Sequence, residues 1–298
     1  MALPVSIGIV GGMGPWVDPL LLEKLLAYQA SLGMRRDQDA IPVLLAQFAP
    51  LFADRTEYLS KRRLGGAPEN PALAAARTCR MLAAAGARVV GIPCNTFHAP
   101  AIFEVFQHEI APLAREGVEV VHMVRSTCEH IAQQLPAARR VGILSTTGTY
   151  LHGIYAEELK RAGKLPVVLP YEEREFSPAE LARRRDAIVA GRIEPLQNDV
   201  HGAIADPEWG IKSGREVAEG FSRPRAVLRA AGERLRSEGA EALVLACTEI
   251  PLALEQGDLP GLPLVDPLEV LARALVDAWR RRFNPAWPAA RELPILPG

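Results

Sequence analysis

The sequence has few cysteines and almost no net charge, and each scarcity excludes a class of protein. Its 298 residues include four Cys without the paired spacing of metal sites, which is typical of free thiols in a reduced cytoplasmic protein and argues against a disulfide scaffold. Lys and Arg total 34 against 35 for Asp and Glu, a formal net charge of -1. No overall field would therefore attract nucleic acid or anionic lipid, and we expect neither as a partner.

Long apolar runs are also missing. No apolar stretch reaches about 18 residues, the length expected of a membrane-spanning helix. The first residues, MALPVSIGIVGG, lack the basic segment of an export signal and become glycine-rich after one strand length. We therefore expect no membrane contact and a cytoplasmic location. At roughly 150 residues per domain, the length indicates two domains that each have their own core.

What is present is an alternation of two sequence patterns. Short β-branched runs are followed by Ala-, Leu- and Arg-rich stretches of helical period, beginning with VSIGIV, LLLEKLLAYQASL, IPVLLAQ, NPALAAARTCRMLAAAG and RVVGIPC. This order repeats in the second half of the chain. Alternating strands and helices predict an α/β fold in which parallel sheets are covered by helices on both faces.

A weak internal repeat supports two pseudo-symmetric lobes. The segment IGIVGGMGP at Ile7–Pro15 aligns with VGILSTTGT at Val141–Thr149, and AGARVVGIPCNT at Ala85–Thr96 aligns with EGAEALVLACTE at Glu238–Glu249. In the second pair, both segments contain a strand followed by a Cys and a polar residue. The repeat therefore predicts both cysteines at the carboxyl ends of strands, where open α/β sheets bind ligands.

The same pattern predicts the limits of the lobes. We place the first lobe at 1–123 plus 263–298, because GLPLVDPLEVLARALVDAWRRR is typical of a strand and helix that return to it. The second lobe is placed at 124–262. Within it, residues 202–225 are rich in Gly, Pro and charge without a clear period, which predicts an active-site loop.

The cysteines at the two equivalent positions, Cys94 and Cys247, are the candidate catalytic residues. Inversion at a carbon acidified by a carboxylate needs a base on one face and an acid on the other, which a thiolate and a thiol supply. An ordinary thiol has a pKa near 8.5, so forming the thiolate at about pH 7 costs roughly 2 kcal/mol. Three adjacent hydrogen-bond donors, which are also candidate substrate-binding residues, would reduce this cost: Asn95, Thr96 and Thr248.

Two polar turns are candidate carboxylate-binding elements. The first contains Gly12, Met13 and Gly14, and it does not fit a dinucleotide-binding motif because Val17 stands where GxGxxG requires its third glycine. Its glycines would instead let backbone N–H groups approach a small carboxylate. The corresponding turn of the second lobe adds hydroxyl groups: Ser145, Thr146 and Thr147.

Seven motifs in order resemble the aspartate/glutamate racemase superfamily of cofactor-independent amino-acid racemases, nearest its aspartate racemase branch. They are IGIVGGMGP, RDQDAIPVLLAQFAPLFADRT, PCNTFHAP, VGILSTTGTYLHGIY, GIKSG, ACTEIPL and LVDPLEVLA, and the resemblance covers about Ile7 to Ala278. The resemblance implies two pseudo-symmetric α/β lobes with the active site in the cleft between them, neither pyridoxal phosphate nor a metal, and paired catalytic cysteines at Cys94 and Cys247. It also favours a homodimer without establishing one.

The resemblance also assigns two cationic residues. The substrate-binding arginine of the DRT motif falls on Arg55 and the lysine of GIKSG on Lys212. Arg55 could bind a carboxylate with two parallel hydrogen bonds, while Lys212 would act as a point charge. Glu249, in ACTEIPL, completes the candidate substrate-binding set.

These residues predict a racemase of an acidic amino acid, with a small-molecule amino acid or dicarboxylate as its binding partner. Aspartate is favoured, and glutamate stays open because the long stretch after Ala203 places Trp209 and Phe221 near Lys212. Two alternatives also stay open. One is a maleate-type cis-trans isomerase that uses one Cys as a nucleophile; the other is a catalytically silent dicarboxylate-binding protein.

Overall fold

The computed structural model describes residues 4–63, 68–169, 195–215 and 217–288. The chain divides into two compact units. The first comprises the described parts of Met1–Asp54, Glu69–Thr127 and Leu268–Gly298, and the second those of Arg55–Pro68 and Cys128–Pro267. The sequence-based lobe limits stay a prediction.

The first unit contains a four-stranded parallel sheet with the strand order β2-β1-β3-β4. Its strands are β1 (Ser6–Gly11), β2 (Val43–Gln47), β3 (Ala87–Gly91) and β4 (Glu119–Val121). The strand β1 is buried along its whole length, and after Ser6 its residues are apolar without alternation, as expected of a strand covered on both faces. The core on this sheet is formed by fully buried residues of β1 and two helices: Ile7, Ile9, Leu21, Leu25, Leu271 and Leu275.

The second unit repeats this arrangement. Its strands are β5 (Arg140–Ser145), β6 (Leu165–Val167), β7 (Ala242–Ala246) and β8 (Leu264–Val265). They form a four-stranded parallel sheet in the order β6-β5-β7-β8. Counted within each unit, both sheets have the order 2-1-3-4. The predicted α/β class with two pseudo-symmetric, helix-covered parallel sheets is therefore confirmed.

Helices connect the strands of both units. In chain order they are α1 (Val17–Ser31), α2 (Arg55–Arg63), α3 (Pro71–Ala84), α4 (Pro100–Glu109), α5 (Ala111–Arg115), α6 (Met123–Gln134), α7 (Thr147–Leu151), α8 (Ile154–Arg161), α9 (Pro195–Ala205), α10 (Ser222–Ser237) and α11 (Pro267–Phe283). Among the residues with described positions, no helix combines the length and apolarity needed to cross a membrane.

The structure departs from the sequence-based elements in two places. The predicted strand RVVGIPC ends at Gly91, before Pro93, which has no N–H to donate to a neighbouring strand. The predicted loop at 202–225 begins inside α9 and ends inside α10. Gly202 lies in α9, and a Cβ at this position would stand 3.0 Å from the Trp209 ring. The glycine is thus explained by close packing and not by a turn.

Candidate active site

In the first unit, the glycine turn after β1 is held by a buried carboxylate. The Gly12 N–H donates to Asp18 Oδ2 at 2.8 Å, and the Gln47 side-chain amide donates to the same oxygen at 2.7 Å. Gly12 has φ +94°, and a Cβ there would lie 2.6 Å from the Ala49 backbone nitrogen. The position therefore requires glycine. The Gly12 N–H was predicted to bind substrate, but in this structure it already has an acceptor in Asp18.

Asp18 is a site residue that the sequence analysis missed. Its carboxylate lies on the first turn of α1, where an acidic residue is ordinary because it favours the positive end of the helix dipole. Met13, between the two predicted glycines, is also buried. The turn is thus held from the inside by a side-chain acceptor, and Asp18 acts as a positioning residue for it.

Cys94 lies three residues beyond the end of β3 and precedes a short 3-10 helix, Asn95–His98. Its N–H donates to the Ile92 carbonyl at 2.8 Å, and its side chain is buried with 6% of the residue surface exposed. The predicted substrate-binding residues Asn95 and Thr96 are buried in the same turn. The structure therefore brings the three polar candidates of this turn together.

His98 fixes the backbone of the Cys94 turn. Its Nδ1 lies 2.9 Å from the Cys94 carbonyl oxygen, and the Met123 N–H donates to its Nε2 at 3.3 Å. Since Nε2 accepts, Nδ1 carries the proton and donates. Burial, and then the neighbouring His122, hold the pKa of His98 well below its ordinary value, so the ring is neutral. Both ring nitrogens have backbone partners, which leaves none for a metal ion.

In the second unit, Cys247 follows β7 directly and belongs to a buried cluster of charged and polar groups. The Cys247 thiol donates to Glu249 Oε2 at 3.0 Å, and the Thr248 hydroxyl donates to the same oxygen at 3.0 Å. The Lys212 ammonium lies 3.2 Å from Glu249 Oε1. Glu249 is only 1% exposed, whereas the Lys212 side chain is 32% exposed. Glu249 therefore links the candidate catalytic thiol to the candidate substrate-binding lysine.

The charges in this cluster favour one protonation state. Burial, and then the Glu249 carboxylate, raise the pKa of Cys247 well above its ordinary value. Burial alone would also raise the pKa of Glu249, but Lys212 and the hydrogen bonds from Cys247 and Thr248 lower it. At neutral pH the cluster accordingly contains a Cys247 thiol, a Glu249 carboxylate and a Lys212 ammonium.

The turn Ser145–Thr147, which carries three hydroxyl groups, follows β5, the strand next to β7 in the same sheet. Ser145 pairs with Ala246, the residue before Cys247. Ser145 Oγ is buried and has no hydrogen-bond partner within the described ranges. Two residues of α9 hold this turn: Gln197 Nε2 donates to the Ser145 carbonyl at 3.0 Å, and the Thr147 N–H donates to His201 Nδ1 at 3.3 Å.

Gln197 and His201 were not predicted from the sequence, because they border a stretch without clear period. Thr146, predicted as substrate-binding, is buried and its hydroxyl lies 3.4 Å from the Thr149 hydroxyl. Arg55 begins α2 and is half-buried. Because α2 packs against α7, which follows Thr146, Arg55 belongs to the second unit together with this turn.

Two aromatic residues predicted near Lys212 have protein partners. Phe221 is buried in the hydrophobic core of the second unit. The Arg223 guanidinium carbon stands 3.9 Å from the centroid of the Trp209 ring, which is a cation–π contact. In the described structure these residues therefore support the segment around Lys212 through packing.

The other two cysteines are packing residues. Cys79 in α3 and Cys128 in α6 are both buried. Burial raises the pKa of the Cys79 thiol to about 12, and burial likewise raises that of Cys128. Neither thiol has the exposure or the depressed pKa of a reactive cysteine.

Two solved structures share this fold. An aspartate racemase from Picrophilus torridus has a TM-score of 0.64 and 23% identity, with 92% of this chain and 94% of that chain covered. An aspartate racemase homologue from Pyrococcus horikoshii OT3 has a TM-score of 0.58 and 21% identity, with 92% and 98% covered. At these identities the similarity establishes the fold alone.

Sequence comparison defines the family. Residues 22–203 match the Asp/Glu/Hydantoin racemase model. A glutamate racemase from Carboxydothermus hydrogenoformans is 26% identical over 190 residues, which cover 63% of this chain and 55% of that relative. The chain thus spans about half the length of this relative. It belongs to the Asp/Glu/hydantoin racemase family, as the motifs predicted, and the matched segment includes Cys94 but not Cys247.

Proposed function

We propose that the protein is a cofactor-independent racemase of an acidic amino acid, with Cys94 and Cys247 as its two acid/base groups. The observation that carries the proposal is the repeated position of the thiols. Each follows the third strand of a sheet with the order 2-1-3-4, in a turn of buried polar residues. The family membership and the names of the racemase relatives support the same reaction.

The reaction needs one proton removed and one returned. A thiolate takes the hydrogen from the α-carbon as a proton, which leaves a planar carbanion stabilised by the adjacent carboxylate. The other thiol then gives its proton to the opposite face, and the sulfur charges are exchanged. The mechanism requires that both sulfurs reach the same carbon, at about 3 to 3.5 Å for reacting atoms.

The polar turns supply groups for the substrate carboxylates. The Ser145 hydroxyl is buried without a partner in the described chain, and such a group gains most from a ligand oxygen. We assign carboxylate binding to Met13, Gly14, Arg55, Asn95, Thr96 and the turn Ser145–Thr147, with Lys212 as the second cation. Aspartate is the preferred substrate, and glutamate is the comparison substrate in the test.

Incubation with L-aspartate in D2O tests the proposal. We expect deuterium at the α-carbon by proton NMR and formation of the D-enantiomer by chiral chromatography. Cys94→Ala and Cys247→Ala should each reduce racemisation by at least about 100-fold, the usual contribution of a general acid or base. Cys79→Ala is the matched control and should leave the rate unchanged.

Absence of exchange with both aspartate and glutamate would refute the racemase. Conversion of maleate, or a stable cysteine adduct with it, would support the isomerase instead. Thermal stabilisation by a dicarboxylate without any turnover would support the silent binding protein.

A further inference from the structure

Glu249 has contacts that do not suit a substrate-binding residue. Its carboxylate is 1% exposed, and its oxygens are approached by the Cys247 thiol, the Thr248 hydroxyl and the Lys212 ammonium. An anionic, buried carboxylate would also repel the carboxylates of an acidic substrate. The geometry therefore calls for a different role.

We propose that Glu249 holds Cys247 in its thiol form, with Lys212 keeping the Glu249 carboxylate charged, so that Cys247 is the proton donor of the resting protein. Glu249 is a positioning residue in this scheme because it acts through the sulfur. The role of the cluster in catalysis rests on the proposed racemase function, but the protonation of Cys247 does not.

The distances determine the direction of the effect. A Cys247 thiolate would stand about 3.0 Å from a Glu249 oxygen, so two buried anions would be in contact. The thiol instead donates a hydrogen bond to that oxygen. Lys212, from the 3-10 helix Ile211–Ser213, offsets the free-energy cost of burying the charged Glu249 carboxylate. Among the residues that the structure describes, Glu249 and Lys212 are the charged groups that act on this thiol.

An unequal resting state has a kinetic consequence. The enantiomer that offers its α-hydrogen to Cys94 finds Cys247 already in the thiol form that returns the proton. Its mirror image needs a Cys247 thiolate, so the Cys247 proton has to move elsewhere first. Because the equilibrium constant between mirror images is one, kcat/KM stays equal for both. Any difference in turnover between the enantiomers therefore appears as kcat and KM values that differ by the same factor.

Site-resolved alkylation of the full chain tests the protonation without relying on activity. The protein is treated with iodoacetamide over a pH series, and the Cys247 and Cys94 peptides are quantified by mass spectrometry. Glu249→Gln keeps the shape but removes the charge. We expect the alkylation midpoint of Cys247 to fall by one unit or more, which is about tenfold faster modification at a fixed pH below it.

Glu249→Asp is the matched control, since it keeps the charge and should leave the midpoint near that of the unaltered protein. The Cys94 peptide is the internal reference and should be unaffected by Glu249→Gln. An unchanged or higher Cys247 midpoint in Glu249→Gln would overturn the proposal.

Infrared spectroscopy provides a second measurement that needs no Glu249 variant. The difference between the spectra of the unaltered protein and Cys247→Ser should contain an S–H stretching band at neutral pH, shifted by the hydrogen bond. Lack of that band would show a thiolate and would overturn the proposal.

The two proposals fail separately. A lowered midpoint without any α-hydrogen exchange would preserve the Glu249 role and reject the racemase. Racemisation together with an unchanged Cys247 alkylation midpoint in Glu249→Gln would support the racemase and reject the Glu249 role.

Discussion

Replacing His98 by Phe removes both ring nitrogens but keeps a flat ring beside Phe103, whose centroid lies 5.0 Å from that of His98. The Met123 N–H then loses its acceptor, and the Cys94 carbonyl loses a donor. A buried donor left unpaired costs about 1–3 kcal/mol, and a neutral hydrogen bond contributes about 1 kcal/mol. The Cys94 carbonyl still accepts from the Phe97 N–H at 3.2 Å, so it is not left unpaired. The free energy of unfolding should therefore fall by about 2–4 kcal/mol in total.

Urea denaturation measures this loss as a lower midpoint with an unchanged m-value. The matched control is His108→Phe, since His108 is exposed on α4, and its effect should stay within about 0.5 kcal/mol. The variant at His98 should also lower racemisation, by up to about 100-fold if the sulfur moves by 1 Å. Stability and rate equal to those of the unaltered protein would refute the reasoning that the ring holds the thiol-bearing turn.

Further predictions concern pH, the glycine turn and the buried thiols. Since burial keeps the folded-state pKa of His98 below its unfolded value, stability should fall as pH drops below about 6.5, and His98→Gln should flatten that slope in denaturation series. Asp18→Ala leaves the Gly12 N–H without its acceptor and should cost about 1–3 kcal/mol in urea denaturation. Gly12→Ala strains a φ of +94° and should cost at least about 1–3 kcal/mol by the same assay. Iodoacetamide should leave Cys79 unmodified in the folded protein, as mass spectrometry can show.

The fold could be predicted from the sequence because its signals are local and repeated. Buried parallel strands are short apolar runs, and the helices between them have helical period, so their order fixes the class. The internal repeat extended this to two sheets of the same kind. Ends of elements were less predictable: β3 stops at Gly91, although the apolar run continues to Ile92 before Pro93.

Residues of the candidate site that carry a local sequence signal could be predicted, and those defined only by contacts formed on folding could not. Cys94 and Cys247 could be found because each stands where a strand pattern ends. Asp18 could not, since nothing local distinguishes an acid that caps a turn from an ordinary first-turn acid of a helix. Gly202 was misread because the ring of Trp209, which requires a small residue there, is brought close only by folding. Gln197 and His201 were not predicted because they border the stretch without a clear period.

In the proposed mechanism, the unlike surroundings of the two thiols let one repeated backbone place a proton donor at Cys247. The turn after β3 carries an amide, a hydroxyl and a neutral imidazole: Asn95, Thr96 and His98. The turn after β7 instead carries the Glu249 carboxylate, paired with the Lys212 ammonium. Acid and base roles are separated when environments move the pKa values of similar groups apart. In this chain the backbone repeats, and the charged pair is what distinguishes Cys247 from its counterpart.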